Sequence, residues 1–238
     1  MRMLFENLVD AATLSTTLPN TNYPVISLQH PFLRKRYQAD AATATITATL
    51  AAAAAVSCFF YGYHNCTSIV LRLYNSVPAL LKTVTVSSPE AGVGSEFFTS
   101  VAGVASAQVD ITAAGAPVYL GGVGLGVYYE APRPTADFEE GLIDNSVVVS
   151  SSSGQTHGLY VEPLQRRRYT ISNMTRTVRA EIAALMKAKG IGVPMWIDVF
   201  YNDHDYDPPM YGKIVTPWST VKSGRRFDAQ TLEIQEAR

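Results

Sequence analysis

The sequence predicts a mainly β protein in two parts: a β-sandwich of jelly-roll type over residues 1–131, then an α+β unit over 132–238 with one helix and a long β-hairpin. Three observations predict it. Residues 41–81 carry one charged side chain, Arg72, in a run of small, β-branched and aromatic residues that suits strands covered on both faces. Short apolar stretches recur between Asn, Gly, Pro and Ser turns through the first half. After Pro132-Arg133-Pro134, strand-like stretches alternate with charge around a single amphipathic helix.

Residues 1–38 read as an opening segment punctuated at Leu18-Pro19-Asn20 and His30-Pro31-Phe32, wrapping an edge of the first sheet. Thr43, Thr45, Thr47 and Thr49 recur with period two, so Ala44 to Leu50 reads as a strand despite its alanines, and Ala51 to Ala55 as a turn or one helical turn. Further strands are expected near 56–63, 67–75, 80–87, 96–102, 107–112 and 117–130, enough for a sandwich. The last holds Gly121-Gly122-Val123-Gly124-Leu125-Gly126, whose glycines permit close backbone approach or a bulge. A phosphate cradle would need a helix to follow, and the sequence continues as strand.

In the second half, Val147-Val148-Val149, a Ser150–Gly154 tip and Leu159-Tyr160-Val161 read as the hairpin, with a third strand at Tyr169-Thr170-Ile171. Val178, Ile182, Leu185 and Met186 fall on one face of a helix over 176–189, with Lys187 and Lys189 at its C-terminal end and Gly190 as its stop. Strands follow at Met195–Tyr201, Met210–Thr216 and Phe227–Glu236.

With 238 residues the chain buries a sufficient core without a staple, and a formal charge of −1 argues against nucleic acid or an acidic membrane as the main partner. Cys58 and Cys66 could bridge geometrically, but Cys58 sits in an apolar run and a free, buried state is favoured. No signal peptide or membrane span is expected, which implies a soluble protein made in a cytoplasm.

No constellation argues for an enzyme, a cofactor or a metal. Asp203-His204-Asp205 with Asp207 offers oxygen donors and an imidazole, but it lacks the glycine and closing glutamate of a calcium loop, so a solvated turn is expected. Cys66 as a nucleophile would need His64 placed as its base in three dimensions, whereas adjacent strand residues point to opposite faces, so a capped turn is expected there. Arg166-Arg167-Arg168 could grip phosphates with Tyr160 and Tyr169 as stacking partners. The preferred alternatives are an exposed strand edge guarded by charge, or a contact to Glu139, Glu140 or Asp144 of a neighbouring subunit.

The run from Leu18-Pro19 through Arg34, with Phe59–Thr67 and Val70-Leu71-Arg72-Leu73-Tyr74, resembles the discoidin-like, galactose-binding-like β-sandwich modules of tailed-bacteriophage tail proteins. The run from Tyr119 to Glu130, with Gly141–Ser146, Gly154-Gln155, Arg168–Ile171, the helix, Pro194-Met195-Trp196 and Gly224–Phe227, is similar to the same group of minor tail or tail-tip proteins. The second half also looks like the unit of tail-tube and distal-tail proteins.

That resemblance implies a virion component in the tail, made in the host bacterial cytoplasm. It would form or decorate a homo-oligomeric ring that joins the tail tube to hub, fibres or receptor-binding proteins. Val147, Val149, Gln155, Leu159, Val161, Arg166, Arg167 and Arg168 are then the candidate inter-subunit contacts, since a long hairpin with unpaired edges needs a partner. The alternative it implies is a carbohydrate-binding module that aids adsorption to host-surface sugar, though fold does not imply function.

Overall fold

The computed structural model describes residues 1–89, 92–134, 138–144, 146–150, 156–190, 192–204, 206–215, 221–222 and 228–237, with backbone alone for 147–150, 156–159, 172–174, 221–222 and 228–230. In chain order the strands are β1 (Arg2–Leu4), β2 (Thr13–Thr16), β3 (Tyr37–Ala39), β4 (Thr43–His64), β5 (Cys66–Tyr74), β6 (Leu80–Ser87), β7 (Val93–Ala113), β8 (Val118–Gly126) and β9 (Tyr129–Glu130). They continue as β10 (Phe138–Ile143), β11 (Val147–Ser150), β12 (Thr156–Leu159), β13 (Leu164–Met174), β14 (Met195–Asp198), β15 (Met210–Ile214), β16 (Val221–Lys222) and β17 (Asp228–Glu236). Two 3-10 helices, Leu8–Ala11 and Val25–Gln29, and one α-helix, α1 (Arg176–Lys189), complete the described elements. The protein is mainly β. No helix of the described residues is long and apolar enough to cross a membrane.

The chain divides into two compact units, Met1–Ala131 with Met195–Tyr211, and Pro132–Pro194 with Gly212–Arg238. The sequence expectation kept 132–238 together, whereas Met195–Tyr211 belongs to the first unit. The reason is a long-range strand addition: β14 is buried at every position and pairs antiparallel with β1, Met3 facing Ile197 and Leu4 facing Trp196. Nothing in the local pattern of either segment announces its partner.

The first unit is built on a sheet of order β3-β8-β4-β7-β5-β6, with β2 added to β4. β4 and β7 pair over two stretches, Thr43–Thr49 with Ser106–Thr112 and Cys58–Gly62 with Val93–Phe97, separated by register shifts. Side chains alternate with period two, so an extra residue swaps faces. Ala44, Ile46, Ala48, Leu50 and Val56 feed the core before the shifts; Phe59 and Tyr61 feed it afterwards. Ala51–Ala55 is therefore strand, not the expected turn, because β7 runs alongside for the length of the bend and overrides alanine's helical preference. β5 and β8 do not pair, yet Ile69, Leu71 and Leu73 of one and Val118, Leu120, Val123 and Leu125 of the other enter the same core, so the strands form two layers of a sandwich.

The opening segment supplies edges, as expected, with β2 on β4 and β3 on β8. Val9 and Leu28 of the 3-10 helices enter the core. Asn7 ties the first helix to β8: its Oδ1 accepts from Val9 N–H and Leu125 N–H, and its Nδ2 donates to the Val123 carbonyl. Gln29 Nε2 donates to the carbonyls of Val9 and Ala12.

On the opposite face of β4 and β8, a second cluster joins Leu4, Leu33, Cys58, Phe60 and Trp196. Trp196 stacks on Phe60 at 5.7 Å and meets Tyr211 at 4.6 Å between ring centroids. A Cβ on Gly124 would lie 2.7 Å from two indole atoms of Trp196, and one on Gly126 would lie 2.7 Å from the Glu6 carbonyl oxygen. The glycine run is thus a smooth floor under a tryptophan, within strand, and no helix opens from it.

In the second unit β13 lies between β10 and β17, and β17 also pairs with Gly212–Ile214 and with β16. The sequence reading missed β10 and the first half of β13. Helix α1 matches its expected span: Thr175 Oγ1 accepts from Val178 N–H, Ile182 and Met186 are buried, and Gly190 ends it at φ +88 with its N–H on the Met186 carbonyl. β11 and β12 pair with each other in a sheet of their own.

Candidate functional site

Pairing of β3 with β8 sets Gln38 opposite Tyr119, and pairing of the end of β4 with β8 brings Tyr63 beside them. The result is a row of rings on the first unit. The Arg36 guanidinium lies 4.3 Å from the Tyr119 centroid and 5.6 Å from that of Tyr23, and Tyr119 is 6.0 Å from Tyr63. Tyr23 is 40 % exposed and Tyr63 38 %.

Short-range bonds hold each member in place. Asn20 Oδ1 accepts from Tyr23 N–H, Tyr23 carbonyl accepts from Gln38 N–H, and Asn65 Oδ1 accepts from Tyr119 N–H at 2.9 Å. Asn65 also donates to the Pro117 carbonyl. Tyr63 sits at φ +52, a left-handed backbone that a bulky residue rarely adopts, and its N–H donates to the Gly92 carbonyl. Arg36 donates one hydrogen bond, to Gln38 Oε1 at 3.2 Å, and its Nε is buried without a partner. The Nε hydrogen is shielded and one Nη2 hydrogen is committed to Gln38, so the ligand donors are the remaining Nη hydrogens. Arg34 and Lys35 are exposed beside it, and the pKa of nearby His30 is lowered by desolvation and then by the Lys35 charge.

A concavity of about 410 Å³ elsewhere on the first unit is lined by Thr17, Leu18, Thr43, Thr45, Asp110 and Thr112 among others. Asp110 bonds Arg72 through one oxygen and accepts from Thr45 Oγ1 at 2.7 Å through the other. Arg72, which carried part of the resemblance, is thus a cross-strand ion-pair residue.

The arginine run does not form the expected exposed edge. β13 is an interior strand, and its acidic partners come from its own neighbours: Arg166 and Arg168 reach Glu233 at 2.7 and 3.4 Å, Arg168 reaches Glu139 at 3.2 Å, and Arg167 reaches Glu140 at 3.4 Å. Alternation explains the split, since Arg167 is 4 % exposed while Arg166 and Arg168 share the other face. Tyr169 is buried against Phe138 and leaves no base-stacking pair with the exposed Tyr160.

Val147, Val149 and Leu159 lie on the paired backbone of the hairpin, and Gln155 lies outside the described residues. Val161 closes the hairpin's base by exchanging hydrogen bonds with the Ser146 hydroxyl.

The acidic loop is solvated in part, as expected, with Asn202, Asp203, Tyr206 and Pro208 exposed. Asp207 is buried, and His204 Nε2 bonds Asp198 Oδ2 at 2.8 Å, an oxygen that also accepts from Ser95 Oγ. Asp205 lies outside the described residues, among which no group of three or more metal-ligating side chains occurs. His64 Nδ1 accepts from Cys66 N–H at 3.1 Å, the expected capped turn. Both cysteines are free and buried, and burial pushes each thiol up to about 12, which removes the thiolate a nucleophile needs.

Sequence reasoning missed the tyrosine row. Its members are scattered over residues 23 to 119, and the pairings of β3 and β4 with β8 assemble them.

No family model and no curated protein matches the sequence. Solved structures similar to about half of the chain include chitosan-binding module 1 of a chitosanase/glucanase from Paenibacillus sp. IK-5, at 14 % identity over 51 % of this chain and 99 % of that one, TM-score 0.46. A fucose-binding module, SpX-3, of Streptococcus pneumoniae matches at 12 % identity over 52 % and 99 %, TM-score 0.46. The lectin domain of lectinolysin complexed with Lewis B antigen matches at 12 % over 50 % and 95 %, TM-score 0.45.

Proposed function

We propose that the first unit is a carbohydrate-binding module and that Tyr23, Arg36, Gln38, Tyr63 and Tyr119 bind the sugar. The observation that carries this reading is the row itself, two exposed tyrosines flanking an arginine–tyrosine stack whose guanidinium spends one hydrogen bond on the protein. Pyranose rings present an apolar C–H face and a hydroxyl rim. Aromatic faces take the first, and Arg36 with Gln38 offers donors and acceptors to the second. The strand pairing and the asparagine bonds hold the row in place before a ligand arrives, which lowers the cost of binding. The assigned role is binding without turnover.

The test is a glycan array probed with the full chain, followed by titration of the strongest hit. Tyr119→Ala should weaken that hit at least about tenfold, the equivalent of roughly 1.4 kcal/mol, with an unchanged far-UV spectrum. Equal binding by wild type and variant removes the row from the reading, and a blank array removes the reading.

A second reading, a homo-oligomeric tail-tip ring, is favoured by the hairpin. β11 and β12 pair in a sheet of their own, and such a two-stranded unit is marginal alone and open at its edges. Light scattering distinguishes the two: a closed multimer lost on deleting residues 151–155 supports assembly, and a monomer counts against it.

A further inference from the structure

We infer that the tyrosine row takes an acidic, linear glycan, a polymer carrying carboxylates, rather than a single neutral terminal sugar. The inference rests on the carbohydrate reading above and adds charge and shape to it. Shape comes from the spacing. Tyr63, Tyr119, Arg36 and Tyr23 follow one another at 6.0, 4.3 and 5.6 Å, so the contacts continue beyond one sugar ring and can meet successive residues of a chain.

Charge comes from Arg34-Lys35-Arg36, the segment leading into β3. Arg34 and Lys35 are exposed, and the Arg36 guanidinium lies over the Tyr119 and Tyr23 rings with one hydrogen bond, to Gln38, on the protein. A guanidinium matches a carboxylate with two parallel N–H bonds, which a hydroxyl cannot return. The basic character is local, because the whole chain carries a net charge of −1. That local character separates the row from a nucleic-acid surface, which tracks a phosphate backbone with a wide basic field.

The experiment titrates the full chain with polygalacturonate, hyaluronan and alginate oligomers, each as the free acid and as its neutral methyl ester, with oligo-dT as a further ligand. At least one free acid should bind about tenfold more tightly than its ester, and the preference should shrink as salt shortens the screening length. Arg34→Ala with Lys35→Ala, both at exposed positions, should erase the preference while binding of the ester persists. Equal binding of acid and ester overturns the inference and leaves the carbohydrate reading intact. Binding of neutral glycans from the array with no response to any of the acids does the same. Binding of oligo-dT as tight as that of the best acid also overturns it, and loss of all glycan binding removes both.

Discussion

Replacing Gly124 by alanine places a methyl group 2.7 Å from Cδ1 and Nε1 of Trp196 and 3.1 Å from Leu4. Carbon contacts settle near ~3.5–4.0 Å, so the overlap is about 1 Å and something must move. Trp196 has little room: it is 3 % exposed, stacked on Phe60 and met by Tyr211. Overpacking of such a core costs about 1–3 kcal/mol, offset by about 0.4–1 kcal/mol because alanine narrows the unfolded ensemble. In a chain of this size each kcal/mol shifts Tm by about 2–4 °C. Urea unfolding followed by far-UV circular dichroism reads the change, with Gly115→Ala as control, since nothing lies within 4 Å of a Cβ there. The control should be neutral or slightly stabilising. If Gly124→Ala matches it, the glycine run is not a floor for Trp196 and the packing argument fails. Trp196→Phe should partly relieve the clash, so that adding Gly124→Ala to it costs less than adding it to wild type.

Arg167→Ala should destabilise by about 1–3 kcal/mol, through lost packing of a buried stem and a lost ion pair, whereas Arg168→Ala should stay within about 0.5 kcal/mol; parallel denaturation curves check the contrast. Asp198→Ala removes the acceptor shared by Ser95 and His204 and should cost about 1.5–3 kcal/mol in the same assay. Cys58 and Cys66 should resist a thiol reagent in the folded state at pH 8 and react in urea; rapid native labelling of either would contradict their burial. Folding raises these thiols from 9.0 to about 12, and Tyr211 from 10.0 to about 12 through burial and then the Asp10 charge. Between pH 9 and 12 the folded state therefore binds more protons than the unfolded one. Stability from these groups is present in full below pH 9 and is lost as pH rises, which urea midpoints at pH 8, 9.5 and 11 would record.

What the sequence alone determined is local. Alternation in Thr43–Thr49 marked a strand, Thr175 and Gly190 bounded α1, and the apolar run around Cys58 indicated a free thiol, because period, capping and burial preference are written within a few residues of each other. Tertiary structure decided the rest. β14 joins β1 across nearly the whole chain, the register shifts of β4 move its core face from Val56 to Phe59, and β3 and β4 meet β8 to bring Tyr23, Arg36, Tyr119 and Tyr63 together. Charge followed the same division. Arg166-Arg167-Arg168 is visible as a run, but whether it forms an edge or an interior strand depends on Glu139, Glu140 and Glu233 arriving on both sides. Such pairings are selected by the apolar area that two distant segments bury together, a property of neither segment by itself.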